Sequence, residues 1–193
     1  MTTTQIISLL IAATLVFWAV GAYNRLVRLR GEVHQRFGVV HEQLVQRHAL
    51  LLRWMEAMAP WLESEPQSLH SLRAACELVQ QRADHLRQRA SAARRVAALR
   101  LAEEELAQAR NKVQADMPAQ IDRILPTGTA LGMDADGGSA VPVLNDELTA
   151  AGGTLLLARR QFNEAVLAYN DAVEQFPTWI LAGLFRFRVA AEL

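Results

Sequence analysis

Residues Ile6–Tyr23, IISLLIAATLVFWAVGAY, run for eighteen positions without a charge or a proline. At about 1.5 Å per residue a helix of that length reaches about 27 Å, just enough to cross a hydrocarbon core of roughly 30 Å. A cleaved leader would need a basic n-region and small residues at its far end. The preceding MTTTQ has no basic side chain, and Phe17, Trp18 and Tyr23 stand where small residues would be required. Aromatic side chains at that end suit a membrane–water boundary instead. A core helix would show a polar face, yet only Ser8 and Thr14 interrupt this one. The stretch therefore reads as a retained transmembrane helix over 6–23, behind a short extracytoplasmic N-terminus over 1–5.

Charge gives the orientation. Arg25, Arg28, Arg30 and Arg36 follow the span directly, against a single Glu32. Basic flanks stay on the cytoplasmic side, so the N-terminus is expected outside and residues 24–193 inside. The whole chain carries 20 Lys+Arg and 20 Asp+Glu, a balance that offers no basic excess for nucleic acid. The lipid bilayer is the expected partner. Cys76 is the only cysteine, which rules out an intrachain disulfide and agrees with a cytoplasmic domain.

The rest of the chain reads as all-α. Leu26–Met58 repeats apolar residues at Leu26, Val33, Phe37, Val40, Leu44, Leu51, Met55 and Met58, the spacing of one helical face. Gln67–Met117 contains neither glycine nor proline, and its stripes allow either one helix of roughly 75 Å or a hairpin turning near Ala90–Ala93. Ala119–Leu125 reads as a further short helical piece. Pro126–Pro142, PTGTALGMDADGGSAVP, is glycine-rich and aperiodic, a flexible loop over 126–143. Its Asp134–Gly138 segment fails as a calcium loop, with Gly138 at the fifth position and Asn145 at the twelfth. Leu144–Ala151 is expected as a short helix that Gly152-Gly153 interrupts. Thr154–Phe176 then gives the clearest stripe, at Leu155, Arg159, Phe162, Val166, Tyr169, Val173 and Phe176, with Ala158, Ala165 and Ala172 beside it. Pro177 stops that helix.

No phosphate loop, nucleophile elbow, His-Glu-x-x-His or paired-cysteine motif occurs, and no cofactor or metal is expected. His34, His41 and His48 repeat every seven residues, about 10 Å apart along one helix, too far to share a metal. Glu103-Glu104-Glu105 reads as a solvated face. Arg47-His48 and Arg159-Arg160 interrupt apolar stripes. Such charges either pair across a bundle, with Glu42, Asp146, Glu147 or Glu164 as candidates, or extend to the surface. Arg47, His48, Arg159, Arg160, Glu164 and Tyr169 are thus the candidates for a structural polar network. After Pro177, Trp179, Ile180, Leu184, Phe185 and Phe187 make the C-terminus dense in apolar groups. These either cap the bundle near Val33 and Phe37 or lie in the membrane interface.

Two stretches carry a family likeness. Tyr23–Leu51 is YNRLVRLRGEVHQRFGVVHEQLVQRHALL, and Leu144–Phe187 contains DEL, ARRQFNEAV, YN and FPTWILAGLFRF in that order. Together they resemble the LemA family of membrane-anchored bacterial proteins. The resemblance implies an N-terminal anchor in the inner membrane followed by an antiparallel helical bundle, with no established catalytic activity. Departures include Leu52 where the family has proline, Gly152-Gly153 before the last long helix, and Met117-Pro118 in place of a tyrosine-proline segment. The expectation is a non-catalytic scaffold that meets a membrane-protein partner or a second copy of itself. The alternative is an accessory factor or hydrolase whose site would gather His48, Arg159, Glu164 and Tyr169.

Overall fold

The computed structural model describes residues 3–59, 66–115 and 140–193. Five helices lie among them: α1 (Thr3–Met58), α2 (Pro66–Arg87), α3 (Ala93–Ala115), α4 (Ala140–Glu174) and the short α5 (Thr178–Leu184), with no strand among the described residues. The expected loop over 126–143 falls outside the described residues up to 139, as do Ala119–Leu125 and the Asp134–Gly138 segment.

One helix carries two kinds of surface. The first part of α1 is long and apolar enough to cross a membrane, and its most apolar eighteen-residue window is entirely unburied. Burial starts at Leu26 and continues through Val33, Phe37, Val40, Leu44, Leu51, Trp54, Met55 and Met58. The apolar pattern changes from all-round to a stripe within one unbroken helix.

The four long helices run up and down around one core. On α1 and α4, Arg36 donates to Gln161, Phe37 packs edge-on against Phe162, and Thr154 donates to Gln43. Farther on, Arg53 faces Glu147. Each step along α1 thus meets a step back along α4, so the two are antiparallel. That register places the end of α4 level with Tyr23–Leu26. His41 on α1 meets Asp84 on α2, and the α2–α3 turn faces Arg30 and His34, so α2 is antiparallel to α1 as well. Phe37, Phe162 and Tyr169 are among the largest fully buried side chains, each contributing about 1.5–3 kcal/mol of burial.

Between the two forms open for Gln67–Met117, the chain takes the hairpin. Arg89 N–H bonds Leu86 carbonyl and Ala92 N–H bonds Arg89 carbonyl, closing a tight turn between α2 and α3. The Arg95 guanidinium donates to the His85 carbonyl, one of the acceptors left open near the end of α2.

One expectation is overturned. Gly152-Gly153 does not interrupt the chain; α4 passes through both as a single 35-residue helix. Each glycine costs up to about 1 kcal/mol relative to alanine. Leu144 and Leu148 before the pair, and Leu155 and Ala158 after it, are buried on one face, and that burial outweighs the cost. Pro142 is likewise helical. It sits in the first turn, where its missing N–H would have had no partner anyway.

Candidate functional site

Three charged residues from three helices meet inside the bundle. Arg47 lies between Leu44 and Leu51 on the buried face of α1, and Arg159 between Leu155 and Phe162 on that of α4. Both guanidinium groups reach the same carboxylate oxygen of Glu103 on α3, Arg47 at 3.0 Å and Arg159 in direct contact. Glu103 itself is only 13% exposed. The sequence reading of Glu103-Glu104-Glu105 as a solvated face is therefore wrong for its first member. Glu103 falls four residues after Leu99 and three before Leu106, on the buried stripe of α3. That spacing was the available signal.

The junction is electrostatically lopsided. Two cations share one anion, and the Nε of Arg159 is buried without a hydrogen-bond partner. Burial lowers the pKa of Arg47; Glu103 opposes that shift and the neighbouring Arg159 adds to it. An open cleft of about 340 Å³ lies beside the junction, lined by Arg47, Glu103, Arg110 and Gly152 among others.

The remaining candidates lie apart from this junction. Arg160 pairs with Glu164 at 3.5 Å on the exposed side of α4. His48 is half-buried opposite α2, where burial lowers its pKa and Glu77 opposes the shift. His41 contacts Asp84 at 2.7 Å, and exposed His34 borders a separate cleft with Gln88–Ser91. Among the described residues, no group of three or more His, Cys, Asp or Glu is placed to hold a metal.

Tyr169 belongs to a different device. Its hydroxyl donates to the Arg188 carbonyl at 3.0 Å. Beside it, Asn170 forms a two-way pair with the backbone of Ala190, donating to the carbonyl at 2.9 Å and accepting from the N–H at 2.8 Å. Asn163 makes the same pair with Leu193, at 2.9 and 2.8 Å. Seven helical residues advance about 10.5 Å, and three extended residues about 10 Å, so the two spacings match. The tail runs back along α4 as an irregular segment whose backbone is paired by asparagine side chains. Sequence reasoning missed Asn163. Its only signal is the seven-residue interval to Asn170 on a helix followed by an apolar tail.

The tail is delivered by a hook. α5 closes with Phe187 N–H on Ala182 carbonyl and Arg186 N–H on Gly183 carbonyl, with Arg186 at φ 57°. This is the Schellman arrangement, with arginine where glycine is usual. Phe185 and Phe187 then pack against Tyr23, the first tilted and the second edge-on, with ring centroids at 4.9 and 6.0 Å.

Fold and site together define an all-α protein with one helix of membrane-spanning length, an up-and-down bundle and a clasped C-terminal tail. The profile of the LemA family matches residues 136–193. That match covers α4, the hook and the tail, and does not extend to the likeness at Tyr23–Leu51. No curated protein is significantly similar to the chain.

Proposed function

We propose that this chain is a LemA-like, single-pass protein of the bacterial inner membrane, whose residues 24–193 form a non-catalytic cytoplasmic scaffold. The observation that carries the reading is the continuity of α1. The unburied apolar segment and the first bundle helix are one rod, so a bundle hung on it is held at a fixed distance from the bilayer. Arg25, Arg28, Arg30 and Arg36 against Glu32 support the orientation with the bundle inside. The scaffold reading is supported by the dispersal of His48, Arg159, Glu164 and Tyr169, the residues an enzymatic site would have gathered. The occupant of the scaffold is a membrane-protein partner or a second copy.

A cytoplasmic reporter fused after Leu193 is expected to be active, and one that requires export silent. The reverse pattern would overturn the orientation. Crosslinking in intact membranes is expected to yield a discrete product joining the bundle to another chain. A bundle that crosslinks to nothing in its native membrane would count against a scaffold.

A further inference from the structure

The hook between α4 and the tail has two apolar faces, and only one is covered. Thr178, Leu181 and Ala182 are buried against the bundle. On the other side Phe176, Trp179, Ile180 and Leu184 stand out at 74, 55, 51 and 73% exposure. Trp179, Ile180 and Leu184 lie on one side of α5, at about 100° per residue, and Phe176 stands just before the helix. The packing of Phe185 and Phe187 against Tyr23 fixes the height of that face, because Tyr23 closes the apolar segment of α1. The uncovered face thus begins where the span ends.

Charge at the same level is strongly positive. Exposed arginines stand there on three elements: Arg25, Arg28 and Arg30 on α1, Arg89 at the α2–α3 turn, and Arg186 and Arg188 on the tail. Exposed acids at this end are Glu32, Asp171, Glu174 and Glu192, fewer than the arginines. Arg186 adopts a left-handed conformation that favours glycine.

We infer that this end of the bundle is a second membrane-attachment site, inserting Phe176, Trp179, Ile180 and Leu184 into the interface of an anionic bilayer. The arginines at that level then lie among the headgroup phosphates. A second copy of the chain fits the face poorly, since two such ends would bring their arginine clusters together. With two attachments the bundle does not swing on α1; it sits pressed end-on against the bilayer. The inference rests on the anchor reading above, and its test separates the two.

The full chain carries a nitroxide label at one introduced cysteine and is reconstituted into phosphatidylcholine vesicles with or without phosphatidylglycerol. Cys76 does not compete for the reagent, because burial shields it and pushes its thiol up to about 11. Collisions with oxygen report lipid, and collisions with a water-soluble nickel chelate report water. The Ile11→Cys label reads the span, Leu184→Cys the hook, and Leu156→Cys, on an exposed part of α4 away from the hook, reads water. In anionic vesicles the hook label is expected to lose nickel contact several-fold relative to Leu156→Cys, and Ile180→Cys to repeat the result. Arg186→Gln with Arg188→Gln, or high salt, is expected to restore nickel contact at the hook while Ile11→Cys stays in lipid. A hook label as open to nickel as Leu156→Cys, with Ile11→Cys in lipid, would overturn the second attachment and leave the anchor standing. Ile11→Cys open to water would overturn both. Dipolar broadening between hook labels on two chains would show a second copy on the face and would also overturn the inference.

Discussion

Two polar devices sit within one stretch of α4 and solve the same problem in opposite ways. At Arg159 the helix buries a charge and borrows a carboxylate that Arg47 already uses. At Asn163 and Asn170 it holds half-buried neutral amides, and each gives both hydrogen bonds to one backbone residue of the tail. The charged device leaves an orphaned Nε and a surplus cation, whereas the neutral one leaves neither of its amides unpaired. The difference teaches that the charged junction is stable only as a set, while the amide clasp is a sum of separable parts.

That contrast sets the size of the first effect. Residues 22–193 retain every buried residue of the described chain, so thermal and urea unfolding can be followed on that fragment. Glu103→Ala is expected to destabilise it by about 3–5 kcal/mol, because two partly buried guanidinium groups lose their only shared anion. Replacing all three charges by Met, Leu and Met is expected to recover most of the loss. If the triple replacement is as damaging as Glu103→Ala, the junction is not a mutually dependent set and the contrast fails.

Asn170→Ala removes two hydrogen bonds to Ala190 and is expected to cost about 2 kcal/mol. Asn163→Ala removes the matching two bonds to Leu193 and is expected to cost a similar amount. The two losses should add, the mark of separable parts, although seven residues on one helix lie close to the limit for independence. Strong coupling would show instead that the tail docks all at once. Proteolysis of residues 188–193 should accelerate in step with each loss.

The unequal legibility of the two devices has a physical cause. Helical periodicity made the stripes of α1 and α4 readable, and Leu26 to Met58 proved buried at every position expected. Phe176, expected as the last member of the α4 stripe, instead lies past the end of that helix and is exposed. Arg47 and Arg159 stood out because a charge breaks an apolar stripe. Glu103 did not stand out, because two glutamates beside it made it look like part of a solvated run. The amide clasp was harder still. Asparagine is at home on a surface, and its partner here is backbone, which has no sequence. The hairpin at 88–92 was open because alanine and serine neither force nor forbid a turn. Gly152-Gly153 misled because local propensity was set against burial that only the assembled bundle supplies.

Both devices are mounted on the same rod, and its continuity can be sharpened directly. A Cβ added at Gly153 would meet nothing within 4 Å. Gly153→Ala is therefore expected to stabilise the fragment by about 0.5–1 kcal/mol, through a lower entropy of the unfolded chain and better helix propensity. A loss of stability would mean that the glycines permit a bend between Leu148 and Leu155.

The smallest effect concerns pH, and it comes from a third site that belongs to neither device. His48 follows Arg47 on α1, and burial lowers its pKa below 6.5, with Glu77 pulling the other way. The folded state therefore binds a proton less readily than the unfolded chain does. As pH falls through about 6.5 the unfolded chain takes up that proton first, so stability declines. The decline ends once the pH is below the folded value, where both states are protonated. Above 6.5 both are neutral and the contribution is flat. The melting temperature of residues 22–193 is thus expected to fall modestly from pH 7.5 to 5.5, a window above most carboxylate titration. His48→Gln should flatten the part of the slope that belongs to this residue, and the difference between the two profiles is the measured quantity. Because His48 is only half-buried, screening keeps the effect below that of any substitution above. The amide clasp does not titrate, so Asn170→Ala should shift the whole profile down without changing its shape. If His48→Gln leaves the slope unchanged, the pH response does not come from this residue and its assignment to His48 is wrong.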